Sequence, residues 1–208
     1  MKITIVNRDQ ENAEVFDWRF RNEDRVQAFH GSFEDLERFD CIATAGNSFG
    51  LMDAGIDLAI VRYFGRDLME TIQRRIHSEY LGEQPVGTSL IVDTGRTDHR
   101  YVAHTPTMRI PMNVNGTDNV YVATWATLLA AHNHNVQHES KIEWLALPAF
   151  CTGTGGVDVV EASLQMQIAI DHFFKPPRHL NPTVAQQRHD RVHFGGRWGF
   201  ENPRPADT

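Results

Sequence analysis

Two segments of the chain combine a short apolar run, a glycine-rich loop and the beginning of a helix. The first spans residues 39–60 and reads FDCIATAGNSFGLMDAGIDLAI, and the second spans residues 144–162 and reads WLALPAFCTGTGGVDVVEA. Continuous apolar runs of this length are typical of strands that are buried on both faces of a sheet. Strands that alternate with helices build parallel sheets. The two segments therefore predict a sheet that carries a glycine loop at the carboxyl ends of two strands.

The remaining segments alternate between strand and helix patterns. Strands are predicted within residues 2–8, 26–33, 39–46, 87–95, 100–108 and 142–150, and helices at 11–21, 56–80, 118–132 and 159–174. Asp158 and Glu161 have the spacing of a capping box at the start of the last helix. The expected fold class is α/β, a three-layer α/β/α sandwich with a mixed, mostly parallel central sheet.

Chain length favours one domain, because 208 residues are enough for one sizeable core and few for two. We expect this domain to span residues 1–175, since the prolines that follow cannot continue the last helix. Residues 176–208 form an extension rich in Pro, Arg and His, with a late GGRWGF motif, that could pack on the domain.

Charge and cysteine content exclude several classes of protein. The formal net charge is -7, from 20 basic and 27 acidic side chains, which argues against general nucleic-acid binding. Two cysteines give no disulfide framework, and the first residues turn polar too early for a signal peptide. No apolar run approaches the length needed to span a bilayer. We therefore expect a cytoplasmic protein that does not associate with a membrane.

The two glycine loops have a physical use as an anion site. A helix start offers unpaired N–H groups and the positive end of its dipole, and glycine lets the backbone approach a ligand closely. Two such loops could hold a diphosphate between them, in a chain whose only lysines are Lys2, Lys141 and Lys175. Each loop alone could also be an ordinary tight connection. Neither a G-x-G-x-x-G fingerprint nor a P-loop is present.

Three ordered blocks of the sequence resemble the macro domain family over about residues 1–175. The first block contributes Asp40, Ile42, Ala45, Asn47, Ser48, Gly55, Asp57, Ala59 and Ile60. The second contributes Gly87, Gly95, Val102, His104 and Thr105, and the third contributes Pro148, Thr152, Gly153 and Gly156. Macro domains bind ADP-ribose, and some hydrolyse ADP-ribosyl esters, O-acetyl-ADP-ribose or ADP-ribose 1''-phosphate.

The resemblance implies a set of site residues and no cofactor or metal. It assigns Asn47 and Asp57 as catalytic groups, Asn47 orienting a distal-ribose hydroxyl and Asp57 positioning or deprotonating a water. Ligand-binding residues would be Ala45, Gly46, Ser48, Phe49, Gly55, Ile56, Thr152, Gly153, Thr154, Gly155, Gly156 and Val157, with Ser32 and Phe33 on the adenine side. The partner would be ADP-ribose or an ADP-ribosylated substrate. Two other hypotheses stay open: a module that binds ADP-ribose without cleaving it, and a structural protein that has lost the ligand.

The sequence departs from the family pattern at three places. Ser32 stands where the family has an adenine-binding Asp, so Glu34 or Asp35 would have to substitute for it. Asp53 adds a negative charge beside the expected diphosphate, which is unfavourable unless its side chain points away. Gly155 stands where an aromatic residue often covers the distal ribose, a contact that Phe49 could supply.

Other candidate residues have more ordinary explanations. His132, His134 and His138 could suggest a metal site, but no carboxylate or thiol accompanies them at fitting spacing. Cys151 is better explained as a small buried residue than as a nucleophile, and His104 as a core imidazole. Arg109 either places a cation near the cleft or lies on a surface loop.

Overall fold

The structure is a computed structural model that describes residues 1–192. Its strands are β1 (Lys2–Asn7), β2 (Val26–His30), β3 (Cys41–Ala43), β4 (Gly46–Asn47), β5 (Leu90–Asp93), β6 (Tyr101–His104), β7 (Pro106–Met108) and β8 (Trp144–Pro148). Its helices are α1 (Gln10–Phe20), α2 (Gly55–Phe64), α3 (Arg66–Tyr80), α4 (Asn119–Gln137), α5 (Val159–Phe174) and α6 (Pro182–Arg191). The GGRWGF motif and the rest of the extension from residue 193 lie outside the described residues.

Six of these strands form one mixed sheet in the order β2-β1-β8-β3-β6-β5. All neighbouring pairs are parallel except β5 with β6, so the expected mixed, mostly parallel sheet is confirmed. Strands β3 and β8, which precede the two glycine loops, are direct neighbours. The short strands β4 and β7 pair separately, beyond the carboxyl ends of β3 and β6. The two loops are therefore brought side by side at one edge of the sheet.

Helices cover both faces of the sheet, which confirms the three-layer α/β/α arrangement. Side chains alternate between faces along each strand, so Leu145 and Leu147 of β8 join one core while Ala146 joins the other. Helices α1, α4 and α5 pack into the first core, and α2 and α3 pack into the second. Because both faces are buried, the central strands need continuous apolar sequence, as the strand prediction assumed.

The single long helix expected at residues 56–80 is wrong in detail, since the structure has two helices there. Gly65 adopts a φ of 101°, and its N–H donates to the carbonyl of Val61 at 2.9 Å, which ends α2. Helix α3 begins at the next residue. The apolar spacing continues across the break because both helices bury a face against the same core. A glycine with positive φ is a common helix ending, and the sequence pattern did not reveal it.

Part of the C-terminal extension forms α6, which lies against α4 and α5. Asn181 caps the helix by accepting a hydrogen bond from the N–H of Val184 at 2.9 Å. The guanidinium of Arg188 lies 5.2 Å from the ring centre of Trp125 in α4, and Arg191 pairs with Asp171 in α5 at 2.8 Å. No helix within residues 1–192 is long and apolar enough to cross a membrane.

Candidate functional site

A cavity of about 450 Å³ lies at the carboxyl edge of the sheet, beyond β1, β8 and β3. Of the predicted site residues, it is lined by Ser32, Phe33, Ala45, Gly46, Asn47, Gly55, Ile56, Asp57, Thr152, Gly153, Thr154 and Gly155. Ser48, Phe49, Gly156 and Val157 do not line it, and Ser48 and Val157 are buried. The cavity is where ligands bind in open α/β sheets, outside the carboxyl ends of the central strands.

The first loop presents a run of unpaired main-chain N–H groups at the start of α2. The N–H groups of residues 52–57 have no acceptor within the described chain, and the first helical bond runs from Leu58 to the carbonyl of Ala54 at 3.1 Å. Gly55 has a φ of 54° and open space where a Cβ would stand. We call residues 52–57 the first amide row. The Met52 side chain is buried in the core beneath it.

The second loop presents a shorter run, at residues 152–155. Their N–H groups also find no acceptor among residues 1–192, and we call them the second amide row. Gly156 donates to the carbonyl of Gly153 at 2.9 Å, and Val157 donates to that of Cys151 at 3.0 Å. Asp158 accepts hydrogen bonds from Val160 and Glu161 and so caps α5. The amides available to a ligand therefore belong to the loop and not to the start of α5.

Asp57 is a buried carboxylate with one oxygen engaged. Its Oδ1 accepts a hydrogen bond from the N–H of Ala45 at 3.0 Å, while Oδ2 has no partner among the described residues. The side chain lines the cavity although the residue is only 5% exposed. Burial raises the pKa of Asp57 to about 7, the Ala45 N–H opposes the rise, and the charge of Asp53 adds to it. Asp57 can therefore gain and release a proton near neutral pH.

Asn47 is held by the loop that follows it. Its Nδ2 donates to the carbonyl of Leu51 at 2.8 Å, and its Oδ1 accepts from the N–H groups of Phe49 and Leu51 at 3.1 and 3.3 Å. Both acceptor positions of the amide oxygen are thus used, and one Nδ2 proton remains available at the cavity. The geometry allows Asn47 to donate to a ligand oxygen but not to accept from a ligand hydroxyl.

The buried ring of His104 packs closely against Gly46, which lines the cavity. Nδ1 of His104 donates to Oε1 of Gln84 at 2.8 Å, an assignment that follows because Nε2 of Gln84 donates to the His104 carbonyl. Burial lowers the pKa of His104 to about 4, so the ring is neutral at pH 7. A Cβ on Gly46 would lie 2.7 Å from Nε2 of His104. A side chain at position 46 would therefore displace the strand that carries Asn47.

The end of the cavity beyond β1 and β2 carries a cation that the sequence analysis missed. Nη2 and Nε of Arg8 donate to Oγ of Ser32 at 2.7 and 3.2 Å, and Ser32 donates in turn to the carboxylate of Glu34. Asp35 accepts from the N–H of Ser32 at 3.1 Å. Neither Glu34 nor Asp35 lines the cavity. Arg8 supplies the side-chain donors at this end. It lies beside Ser32 because β1 pairs with β2, and no sequence motif marks it.

The other sequence candidates lie in ordinary surroundings. His134 bonds the carbonyl of Ser140 at 2.9 Å and stacks on His138, and the described residues contain no group of three or more His, Cys, Asp or Glu arranged to hold a metal. Burial raises the pKa of Cys151 to about 12, against a hydrogen bond with Thr107. Arg109 is paired with Glu83 at 2.6 Å and does not line the cavity.

Comparison with known proteins agrees with this fold. A family model described as the macro domain matches residues 43–166. A relative from Aeropyrum pernix, described as an uncharacterized protein, is 31% identical over 148 residues, which is 70% of this chain and 71% of that protein. The solved macrodomain of Mycobacterium tuberculosis DarG has a TM-score of 0.57 at 19% identity, covering 70% of this chain and 89% of that one. A mutant Oceanobacillus iheyensis macrodomain solved with ADPR has a TM-score of 0.58 at 22% identity, covering 70% and 76%. The family match spans more than half of the 208 residues, and the chain therefore belongs to the macro domain family.

Proposed function

We propose that the protein binds ADP-ribose in the cavity and hydrolyses an ADP-ribose derivative. The observation that carries this proposal is the pair of unpaired amide rows at residues 52–57 and 152–155, whose members, except Met52, line one cavity. Unpaired N–H groups at a helix start and in a glycine loop favour phosphate oxygens. A macrodomain of similar fold has been solved with ADPR. The diphosphate would lie between the two amide rows.

Strand order supports an extended position for the ligand. Arg8 and Ser32 follow β1 and β2, whereas Ala45 and Asn47 follow β3, with β8 between β1 and β3. Neighbouring strands are spaced by nearly 5 Å, so the two ends of the cavity lie roughly 10–15 Å apart. This span suits a nucleoside diphosphate with a second sugar. We place the adenosine toward Arg8, Ser32 and Phe33, and the distal ribose toward Asn47 and Asp57.

The hydrolytic step would use Asn47 and Asp57 in different roles. Asn47 donates its remaining Nδ2 proton to a hydroxyl oxygen of the distal ribose and so orients the sugar. Asp57 accepts a proton from water through Oδ2, and the water oxygen adds to the anomeric or acyl carbon. The bond from that carbon to the leaving oxygen breaks, and the leaving oxygen takes up the proton that Asp57 accepted. The net reaction adds one water across the bond.

Hydrolysis of O-acetyl-ADP-ribose tests the proposal, with ADP-ribose release as the readout. We expect Asp57→Asn to lower kcat by about a hundredfold or more, because a positioned general base contributes that much. Only the ionised carboxylate accepts a proton, and burial raises the pKa of Asp57 to about 7. The wild-type rate should therefore rise with pH through neutrality and level off above it. Asp24→Asn, which changes the same charge at an exposed turn before β2, is the matched control.

The same assay separates hydrolysis from binding alone. The engagement of the Asn47 oxygen by the N–H groups of Phe49 and Leu51 favours a binding module as the second candidate. Turnover at background in the wild-type protein, together with firm binding of ADP-ribose, would assign this second function. Wild-type turnover in Asp57→Asn would contradict the proposed role of that carboxylate.

A further inference from the structure

The charges around the cavity are distributed unevenly. Arg8 is the basic side chain in the lining formed by the described residues, and it lies beyond β1. Asp53 and Asp57 are the acidic ones, and they lie at the start of α2, beyond β3. The main-chain amides of residues 53–57 and 152–155 also line the cavity, and they carry no net charge. Arg8 is paired with Glu34 at 3.6 Å. The end beyond β3 carries two acidic side chains and, among the described lining residues, no basic one, so the anionic end is the one at the start of α2.

Asp53 lines the cavity, and no cation among residues 1–192 pairs with it. From the sequence, the charge of Asp53 is unfavourable for a diphosphate unless the side chain points away. In the structure Asp53 is exposed and is one of the residues that line the cavity. It has neither a hydrogen-bond nor an ion-pair partner in the part of the chain that the structure describes. Its charge reaches Asp57, where it helps to raise the pKa of that carboxyl. Asp53 therefore acts on the same space as Asp57.

Among residues 1–192, the rim at this end offers no unpaired basic side chain to an extra anion. Leu51, Ile110 and Met112 are 47%, 54% and 48% exposed, and Leu51 and Pro111 line the cavity. Arg109 directly precedes Ile110 in the sequence, and its guanidinium donates to the carboxylate of Glu83 at 2.6 and 2.9 Å. Apolar side chains and a paired arginine cannot neutralise a phosphate that stands beside two carboxylates.

We propose that Asp53 determines which derivative of ADP-ribose the protein accepts, by excluding those whose group on the distal ribose is anionic. This inference rests on the proposed function. A phosphomonoester carries a charge of about -1.5 to -2 at pH 7. Placed within several ångströms of Asp53 in a partly exposed site, it is repelled enough to weaken binding by about tenfold. The accepted substrates would carry an uncharged or cationic group there, such as an acyl ester, and ADP-ribose 1''-phosphate would be a poor ligand.

Calorimetric titration with two ligands tests Asp53 without relying on turnover. ADP-ribose and ADP-ribose 1''-phosphate differ only in the phosphate on the distal ribose, so the ratio of their Kd values isolates its effect. We expect wild type to bind the phosphorylated ligand about tenfold more weakly. Asp53→Asn should reduce this ratio severalfold, because the carboxamide has a similar shape and no charge. The matched control Asp24→Asn should keep the wild-type ratio.

Titration at higher ionic strength gives a second readout. Salt screens the repulsion between charges, so the ratio of the two Kd values in wild type should fall, whereas a steric exclusion would leave that ratio unchanged. Equal Kd values for the two ligands in wild type, or an unchanged ratio in Asp53→Asn, would overturn the role of Asp53 and leave ADP-ribose binding intact. A ratio that does not change with salt would also overturn it. Absence of ADP-ribose binding would overturn the proposed function and this inference together.

Discussion

Asp57 shows how one residue can be unfavourable for folding and useful for chemistry. Its carboxylate is buried, accepts a single hydrogen bond from the N–H of Ala45, and lies near the charge of Asp53. Each of these features except the Ala45 bond disfavours the ionised form. The same features keep a proton acceptor near neutral pH beside a cavity. The residue therefore contributes to a site at the expense of stability above pH 7.

The stability of the Asp57→Asn variant should exceed that of wild type at high pH. The folded pKa is about 7 and the unfolded pKa about 3.9, so unfolding releases a proton between these values. The free energy of unfolding therefore falls as pH rises from 4 to 7, by about 4 kcal/mol in the limit. Asn has no such titration. We expect the Tm of Asp57→Asn relative to wild type to rise by at least about 5 °C between pH 5 and pH 8.

Differential scanning calorimetry at the two pH values measures this change, with Asp24→Asn as the control for a lost surface charge. A Tm difference that stays constant from pH 5 to pH 8 would show that Asp57 is ionised throughout. The experiment also separates function from folding, because a variant that is more stable at pH 8 and inactive there has not lost activity by unfolding.

At the level of elements, main-chain hydrogen bonds hold the second glycine loop in place. The carbonyl of Gly155 accepts from the N–H of Val114 at 2.8 Å, and the carbonyl of Cys151 accepts from that of Val157. Cys151 itself has a φ of 63°. A Cβ on Gly155 would lie 2.6 Å from the Cys151 carbonyl oxygen, whereas a Cβ on Gly153 would meet nothing within 4 Å. The glycines of this loop thus serve different purposes, close packing and open space.

Alanine substitutions distinguish these two glycines. Gly155→Ala should destabilise the protein by about 1–3 kcal/mol, because the loop backbone must move to admit a methyl group. Gly153→Ala should change stability by less than about 0.5 kcal/mol, since its Cβ enters open space. Urea denaturation of both variants gives the two values. Equal stability of Gly155→Ala and Gly153→Ala would mean that the loop is not packed as described.

The sequence predicted the kinds of elements and their order better than their boundaries. Apolar spacing located α2 and α3 but not the break at Gly65, because both helices bury a face against one core. The predicted capping box at α5 is half confirmed: Asp158 caps the helix, whereas the Glu161 carboxylate accepts from Gln165 instead. The consequence of this cap for the second loop was not predicted. Which N–H groups are consumed, as at Gly156 and Val157, depends on loop conformation, which residue types alone do not specify.

At the level of the whole molecule, the order of strands builds the site. The sequence predicted two loops at strand ends, and the neighbouring positions of β3 and β8 bring them together. The placement of β1 beside β8 adds Arg8 to the same cavity, 39 positions before Asn47 in the chain. Strand order is set by which faces and edges pack, so a residue such as Arg8 carries no local signal of its role. Helices cover both faces of the sheet, and the cavity opens at the carboxyl ends of its strands.

The most direct test of the central claim is an NMR titration of the amide resonances with ADP-ribose, with adenosine as the ligand that lacks the diphosphate. If the two amide rows hold the diphosphate, ADP-ribose will shift the resonances of residues 52–57 and 152–155, and adenosine will leave them nearly unchanged. Gly156 and Val157, whose N–H groups already have protein acceptors, should shift less. No shift in either row at millimolar ADP-ribose, or equal shifts with adenosine, would contradict the account.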